Sequence, residues 1–235
     1  MTRDNVEVFA SLESLNDAVL SAFMELAKRS IADRGVFRVS LSGGSTPKRL
    51  YQSISQQSLE WERIRWFWGD ERNVAHDHQD SNFRMVHEAM LGPARVPPST
   101  YFPVPTDLSS PEAVARAYEG TLRHQFAAQG SLPTWDLVLL GMGDDAHTAS
   151  LFPHTKALDE QERWFIENWV ETFAAYRYTL TAPAINSGRE IWFLISGESK
   201  RAPLAKVLAD DGDSSRYPSK LIRPTRLFVT ADVYG

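Results

Sequence analysis

Residues 37–47 read FRVSLSGGSTP, and the way this stretch is interpreted decides the fold. Phe37 to Leu41 has the apolar, β-branched character of a short strand. The chain then enters two glycines and two hydroxyl residues, and Pro47 opens a helix, the first helical position being favourable for proline. Strand, tight turn and helix together make half of a βαβ unit. Upstream, Val6 to Phe9 reads as a short strand. Apolar residues then recur at helical spacing from Leu12 to about Arg34 (Leu15, Val19, Phe23, Leu26, Ala27), with Gly35 as a stop.

The same alternation continues downstream. Ile64 to Trp68 is a strand ending at GDER, and Asn82 to Leu91 reads as helix. Pro93 to Pro105 is a proline-rich loop, Pro111 to about Ala128 a helix, and Trp135 to Leu140 the most apolar strand, running into GMGDDAH. Further strands are expected near Tyr178 to Thr181, Ile191 to Ile195 and Leu227 to Thr230, with a helix from Ser199 to Leu208. Strands alternating with helices imply an α/β fold: a Rossmann-like, mainly parallel sheet with helices on both faces. No stretch resembles a linker, so residues 1–235 are expected to form a single domain. In such sheets ligands bind beyond the carboxyl ends of the strands. SGGSTP, GDER and GMGDDAH each follow a predicted strand, which places all three on one edge of the sheet.

Composition narrows the function classes. The apolar fraction is 43%, ordinary for a globular chain with a full core. A net charge of −5, with no basic run, argues against nucleic-acid binding. The absence of cysteine removes disulfides, thiolate catalysis and cysteine zinc sites, and fits a reducing compartment. The N-terminus lacks the basic and apolar regions of a signal peptide. No apolar stretch approaches the ~20 residues of a membrane span. A cytoplasmic protein without a membrane partner is expected.

Each cluster has a chemical and a plain reading. In Ser42–Pro47 the glycines let the chain turn tightly, and the following helix start offers free N–H groups to an anion such as phosphate. The pattern serves equally as a turn capped by Ser45 or Thr46. It is neither a P-loop nor G-x-G-x-x-G, so nucleotide binding is not indicated. Arg72 in Asp70-Glu71-Arg72 can fork two donors onto an anion. An isolated triplet is better read as a surface ion pair worth about 0–1 kcal/mol. His76 and His78 lie two apart with no clear further ligands, and read as solvated rather than metal-bound. His147, two residues after Asp145, suits a general base or acid near neutral pH, with Asp145 orienting it or positioning substrate. Taken alone, a capped turn with a packed histidine is narrowly preferred. Ser150 lacks the G-x-S-x-G context of a nucleophile. Arg177, Lys200 and Arg223 are individually surface charges, although Lys200 follows a strand end where an anion would lie.

Together the segments LSGGSTPKRLY (41–51), WGDERNVAHDHQDSNFRM (68–85), LVLLGMGDDAHTASLFP (137–153), RYTLTAPAIN (177–186) and FLISGESK (193–200) resemble the 6-phosphogluconolactonases of the pentose phosphate pathway. YPSKLIRPT, near the end, is a weaker match. The resemblance implies the fold shared with glucosamine-6-phosphate deaminases. It also implies hydrolysis of 6-phospho-D-glucono-1,5-lactone to 6-phosphogluconate with no cofactor and no metal. Carried over, Gly43, Gly44, Ser45 and Thr46 form the phosphate loop, Arg72, Arg177 and Lys200 supply basic contacts, and His147 transfers the proton, with Asp145 as a softer assignment beside it. The implied partner is a small sugar phosphate, and the protein a monomer or small homo-oligomer.

One residue departs from the pattern: the family has D-G-H-T where this chain has Asp145-Ala146-His147-Thr148. Alanine there is strained by ~1 kcal/mol or more if φ is positive, and nearly silent if it is negative. Two rival functions share the fold. A glucosamine-6-phosphate deaminase fits HTASLFP and DER-x-V poorly, and a sugar-phosphate sensor predicts an attached DNA-binding module for which the chain has no basic helix.

Overall fold

The computed structural model describes residues 1, 3–126, 132–210 and 212–234. In chain order the strands are β1 (Val6–Phe9), β2 (Phe37–Leu41), β3 (Ile64–Trp68), β4 (Asp70–Arg72), β5 (Tyr101–Phe102), β6 (Leu137–Leu140), β7 (Phe165–Val170), β8 (Ala175–Leu180), β9 (Ile191–Ile195) and β10 (Arg226–Thr230). The α-helices are α1 (Leu12–Arg34), α2 (Ser45–Ile54), α3 (Asn82–Val86), α4 (Pro111–Gln125), α5 (Ala182–Asn186), α6 (Arg201–Leu208) and α7 (Ala231–Tyr234). Seven strands form one sheet in the order β1-β10-β9-β6-β2-β3-β5, with every neighbouring pair parallel. A second, antiparallel sheet runs β4-β8-β7.

The expected α/β architecture is therefore present, with helices on both faces of the parallel sheet. Successive side chains of a strand face opposite ways. In β3, Trp66 stacks on Phe23 of α1, while Phe67 meets Phe126, the residue that caps α4. α1 begins at a Ser11–Ser14 capping box and ends at Gly35, left-handed at φ 74°. Strand order reverses between β2 and β6: the chain builds β3 and β5 on one side, then β9 and β10 on the other. That switch point is where ligands bind in open α/β sheets.

Several local expectations need correction. α2 begins at Ser45 rather than at Pro47, because Gly44 at φ 108° already redirects the chain. Proline is tolerated in the first turn, where its missing N–H would have no helical partner anyway. The stretch 93–105, read as loop, contains the short edge strand β5. The helix expected over 82–91 widens from α3 into a π turn at His87–Leu91. The strand expected from Trp135 starts at Leu137, and the helix expected from Ser199 is a 3-10 turn, Glu198–Lys200, followed by α6. GDER, read as a polar strand end, is itself a strand, and β7 was not anticipated. Residues 127 and 128 of the fourth predicted helix lie outside the described residues.

The two sheets meet at Gly69. Its N–H donates to the Leu41 carbonyl in the parallel sheet, and its carbonyl accepts from Leu180 N–H in the antiparallel one, each at 2.8 Å. Two fully buried tyrosines finish the strand ends nearby. The Tyr51 hydroxyl accepts from Ser42 N–H and donates to Ser42 C=O, and Tyr118 does the same for Trp68 at the end of β3. Burial pushes both phenols above their ordinary value, so they stay protonated donors. Among the described residues, no helix is long and apolar enough to cross a membrane.

Glu119 fastens α4 to the second sheet. Its carboxylate accepts from Trp164 N–H at 2.9 Å, Arg163 Nε at 3.0 Å and Arg123 at 2.9 Å. Burial acts to raise its pKa, but these three donors outweigh it and hold the carboxyl below its usual range. The folded value thus lies below the unfolded value of ~4.3. The stabilisation is complete above that value and is lost as pH falls through the folded one. Glu119→Gln is expected to lower unfolding free energy by ~1–3 kcal/mol at pH 7. Urea titrations across pH should show the wild type and variant converging below about pH 4.

Candidate active site

At the switch point a cleft of about 280 Å³ opens between the loops that leave β2 and β6. Gly43, Gly44, Ser45, Thr46, Arg72, His147 and Lys200 line it, together with Asp70, Gly141, Gly143 and Ser196. Asp145 and Arg177 are not in its wall. Each adjoins a residue that is: Asp145 bonds His147, and Arg177 pairs in register with Arg72. The three strand-end clusters therefore converge.

At one end of the cleft the glycine turn after β2 meets the start of α2. Gly44 turns into α2, whose N-terminus carries no side-chain cap, so the free N–H groups of its first turn remain available beside Ser45 and Thr46. Gly43 is required by close approach, since a Cβ there would lie 2.1 Å from Asn82 Oδ1. Thr46 Oγ1 bonds Ser196 Oγ at 2.7 Å, tying the loop to the end of β9. Arg72 and Arg177 sit directly opposite each other in β4 and β8, an arrangement that disfavours like charges. Burial, followed by the adjacent Arg72 charge, lowers the Arg177 pKa from its ordinary value. Arg177 also lies over the Phe173 ring, 5.1 Å from its centroid. Lys200 Nζ is held 2.5 Å from Asp144 Oδ1, a bond that depresses the Asp144 carboxyl.

Glu71 explains why the DER segment and the later S-N pair belong together. Its buried carboxylate accepts N–H bonds from Arg72, Asn82 and Phe83 at 2.7–2.8 Å and the Ser81 hydroxyl at 3.3 Å. Asn82 in turn donates to the Asp70 carbonyl at 2.9 Å. A buried carboxyl that accepts these hydrogen bonds fixes the start of α3 and the backbone of β4 together.

At the other end Asp145 and His147 form a hydrogen-bonded pair. Asp145 Oδ1 lies 2.5 Å from His147 Nδ1 and also accepts His147 N–H at 3.0 Å. Burial works to raise the Asp145 pKa, but the bond to the imidazole and its charge prevail and hold the carboxyl below its usual range. A carboxylate facing Nδ1 selects the tautomer with the proton there and leaves Nε2 as the acceptor. No hydrogen-bond partner occupies Nε2 among the described residues. The ring stacks on Phe152 at 4.1 Å between centroids, and Phe173 packs against Phe152 at 5.6 Å. Gly143 makes room, since a Cβ there would fall 2.1 Å from His147 Nδ1.

Ala146 is at φ 62° and fully buried, so the substitution for glycine is of the strained kind, costing about 1–2 kcal/mol. His76 and His78 make local hydrogen bonds instead: His76 Nε2 bonds the Val104 carbonyl at 2.7 Å, and His78 Nδ1 accepts from Asp80 N–H. Arg223 is not part of the cleft wall. Ser150 is buried and donates to Asp70 Oδ2 at 3.0 Å. Asp70 and Ser196 were overlooked as cleft residues, although both follow strand ends in segments already singled out.

The chain matches the family described as glucosamine-6-phosphate isomerases/6-phosphogluconolactonase over residues 10–231. It is 41% identical over 220 residues to a 6-phosphogluconolactonase of Synechocystis sp., covering 93% of this chain and 91% of that one. It is 42% identical over 223 residues to another from Nostoc sp., with 94% and 92% covered. The solved 6-phosphogluconolactonase from Trypanosoma cruzi superposes with a TM-score of 0.84 at 27% identity, over 96% of this chain and 93% of that one. A strand-end cleft of this form, in a sequence this similar along nearly its whole length, belongs to the glucosamine-6-phosphate isomerase/6-phosphogluconolactonase family.

Proposed function

We propose that this enzyme hydrolyses 6-phospho-D-glucono-1,5-lactone to 6-phosphogluconate, the step of the oxidative pentose phosphate pathway that the names of its relatives describe. The observation that carries the reading is the pairing, in one cleft, of an Asp145–His147 dyad with an anion cradle built from Gly43–Thr46 and Arg72. The reading takes the chain as one domain over residues 1–235, acting in the cytoplasm as a monomer or small homo-oligomer.

In this reading the phosphate rests on Gly43, Gly44, Ser45 and Thr46, with Arg72, Arg177 and Lys200 supplying positive charge. Arg72 and Arg177 lie opposite each other in β4 and β8, and a dianion between them offsets the repulsion of their like charges. Held there, the sugar presents C1 to His147, which converts a bimolecular encounter into a positioned one. Neutral His147 takes a proton from water at Nε2 as the water oxygen attacks C1. Backbone N–H groups meet the developing oxyanion. The imidazolium, steadied by Asp145, then protonates the departing ring oxygen, so one group serves as base and acid.

His147→Ala is expected to lower kcat by ~10²–10⁴-fold once the spontaneous hydrolysis is subtracted. Asp145→Asn should lower kcat while leaving KM near the wild-type value, which steady-state assays resolve. Wild-type activity in the histidine variant removes His147 from the mechanism.

Phosphorylated and unphosphorylated gluconolactone, assayed side by side, test the cradle. The wild type should prefer the phosphorylated lactone strongly, and Arg72→Ala and Arg177→Ala should raise its KM and narrow the ratio between the two substrates. Ammonia release from glucosamine 6-phosphate, with no lactone turnover, would instead point to deaminase chemistry.

A further inference from the structure

Ala146 holds a left-handed conformation with no glycine to relieve it, directly before the histidine on which the proposed chemistry depends. What keeps it there comes from far along the chain. Ser219, in the 3-10 turn Pro218–Leu221, is fully buried and points two donors at one oxygen. Its N–H meets the Ala146 carbonyl at 3.0 Å and its hydroxyl meets the same carbonyl at 2.8 Å. We infer that Ser219 is a positioning residue for His147, acting through the Ala146–His147 peptide; the inference rests on the assignment of His147 as the proton-transfer group.

A peptide unit is planar, so fixing its carbonyl fixes its N–H. The Ala146 carbonyl is gripped by Ser219, and the N–H at the other end of that unit, on His147, donates to Asp145 Oδ1. The same carboxylate oxygen holds the imidazole at Nδ1. Rotation of this one plane would aim the His147 N–H away from Asp145 and loosen the dyad. The preceding unit is tied as well, because Ala146 N–H donates to Gly143 C=O at 3.0 Å, and Gly143 N–H donates to His147 C=O at 2.9 Å. Alanine therefore leaves the left-handed region only by breaking the bond to Gly143 or the pair to Ser219.

The support beneath Ser219 is itself anchored. Lys220 Nζ bonds the Val207 carbonyl at 3.2 Å and the Ala209 carbonyl as well, where α6 ends, and Ile222 N–H closes the turn on the Ser219 carbonyl. In a chain with glycine at 146 the backbone adopts this conformation without the Cβ penalty. In this chain the two bonds from Ser219 offset that penalty, which makes residues 146 and 219 dependent on each other.

A double-mutant cycle on lactone hydrolysis by the purified protein tests the dependence, with His147→Ala measured alongside. Ser219→Ala should lower kcat by roughly 10- to 100-fold, the scale of a sub-ångström to ångström misplacement of a catalytic group, with KM nearly unchanged. The same change in an Ala146→Gly background should cost far less, and Ser219→Thr, which retains the hydroxyl, should restore most of the rate. Wild-type kcat in Ser219→Ala, or an equal loss in both backgrounds, overturns the proposal. If Ser219→Ala does not fold, the double variant decides: kcat close to that of Ala146→Gly upholds the dependence, and a tenfold or larger deficit overturns it. An inactive His147→Ala beside an unaffected Ser219→Ala rejects the role of Ser219 alone. A fully active His147→Ala rejects the assignment of His147 and this inference with it.

Discussion

The structure depends on a single peptide that belongs to two sheets. At Gly69 the chain passes from β3, in the parallel sheet, to β4, in the antiparallel one, and the residue bonds both. No side chain fits there: a Cβ would come within 2.8 Å of Ser40 Oγ and 3.2 Å of the Leu41 carbonyl. Beyond this tight crossing Asp70 and Arg72 emerge in the wall of the switch-point cleft, with Glu71 buried between them. Asp70 receives the Ser150 hydroxyl, Glu71 turns inward to the start of α3, and Arg72 is brought opposite Arg177.

From that crossing the division of labour in the cleft follows. The parallel sheet contributes strand ends, and with them backbone N–H groups and glycine turns. The antiparallel sheet contributes charge, delivered at fixed register by β4 and β8. His147 lies on a loop between the two, leaving β6 and returning toward β7, and its neighbours are bonded to both. Thr148 reaches back to the Gly141 carbonyl at the end of β6, and Ser150 N–H is held by Thr179 in β8. The glycine turn, His147 and Lys200 thus follow strands of the parallel sheet, Arg72 comes from the antiparallel one, and Gly69 joins the two.

Much of this was legible in the sequence because the parallel strands are short, apolar and separated by amphipathic helices. The runs 37–41, 64–68 and 191–195 are strands with those same bounds. The second sheet was not legible, for physical reasons. β4 is the triplet DER, whose strand partners lie more than a hundred residues away, and β7 carries charged and polar residues between its apolar ones. A polar strand is stabilised by pairing, which local composition does not record. The seven cleft-lining residues among the predicted site all follow strand ends, but it was the family resemblance that made a site of Arg72, His147 and Lys200, each of which reads alone as a structural or surface residue. Asp70 hid inside a segment whose arginine drew attention, and Ser219 had no local signal at all, since its contribution is a pair of bonds to a carbonyl 73 positions earlier. The left-handed angle at Ala146 could be posed as a question from the sequence, but its answer needed the backbone.

The register that sets Arg72 opposite Arg177 carries one more implication, for the life of the protein in a cell. If the proposed phosphate sits between them, its binding would add to the stability of the fold in proportion to the logarithm of ligand concentration over its dissociation constant. The folded population would then rise and fall with the supply of that ligand. Proteases that act on opened chains would remove the enzyme faster when its substrate is scarce. Abundance would follow demand with no dedicated regulator, through two positive charges set opposite each other on neighbouring strands.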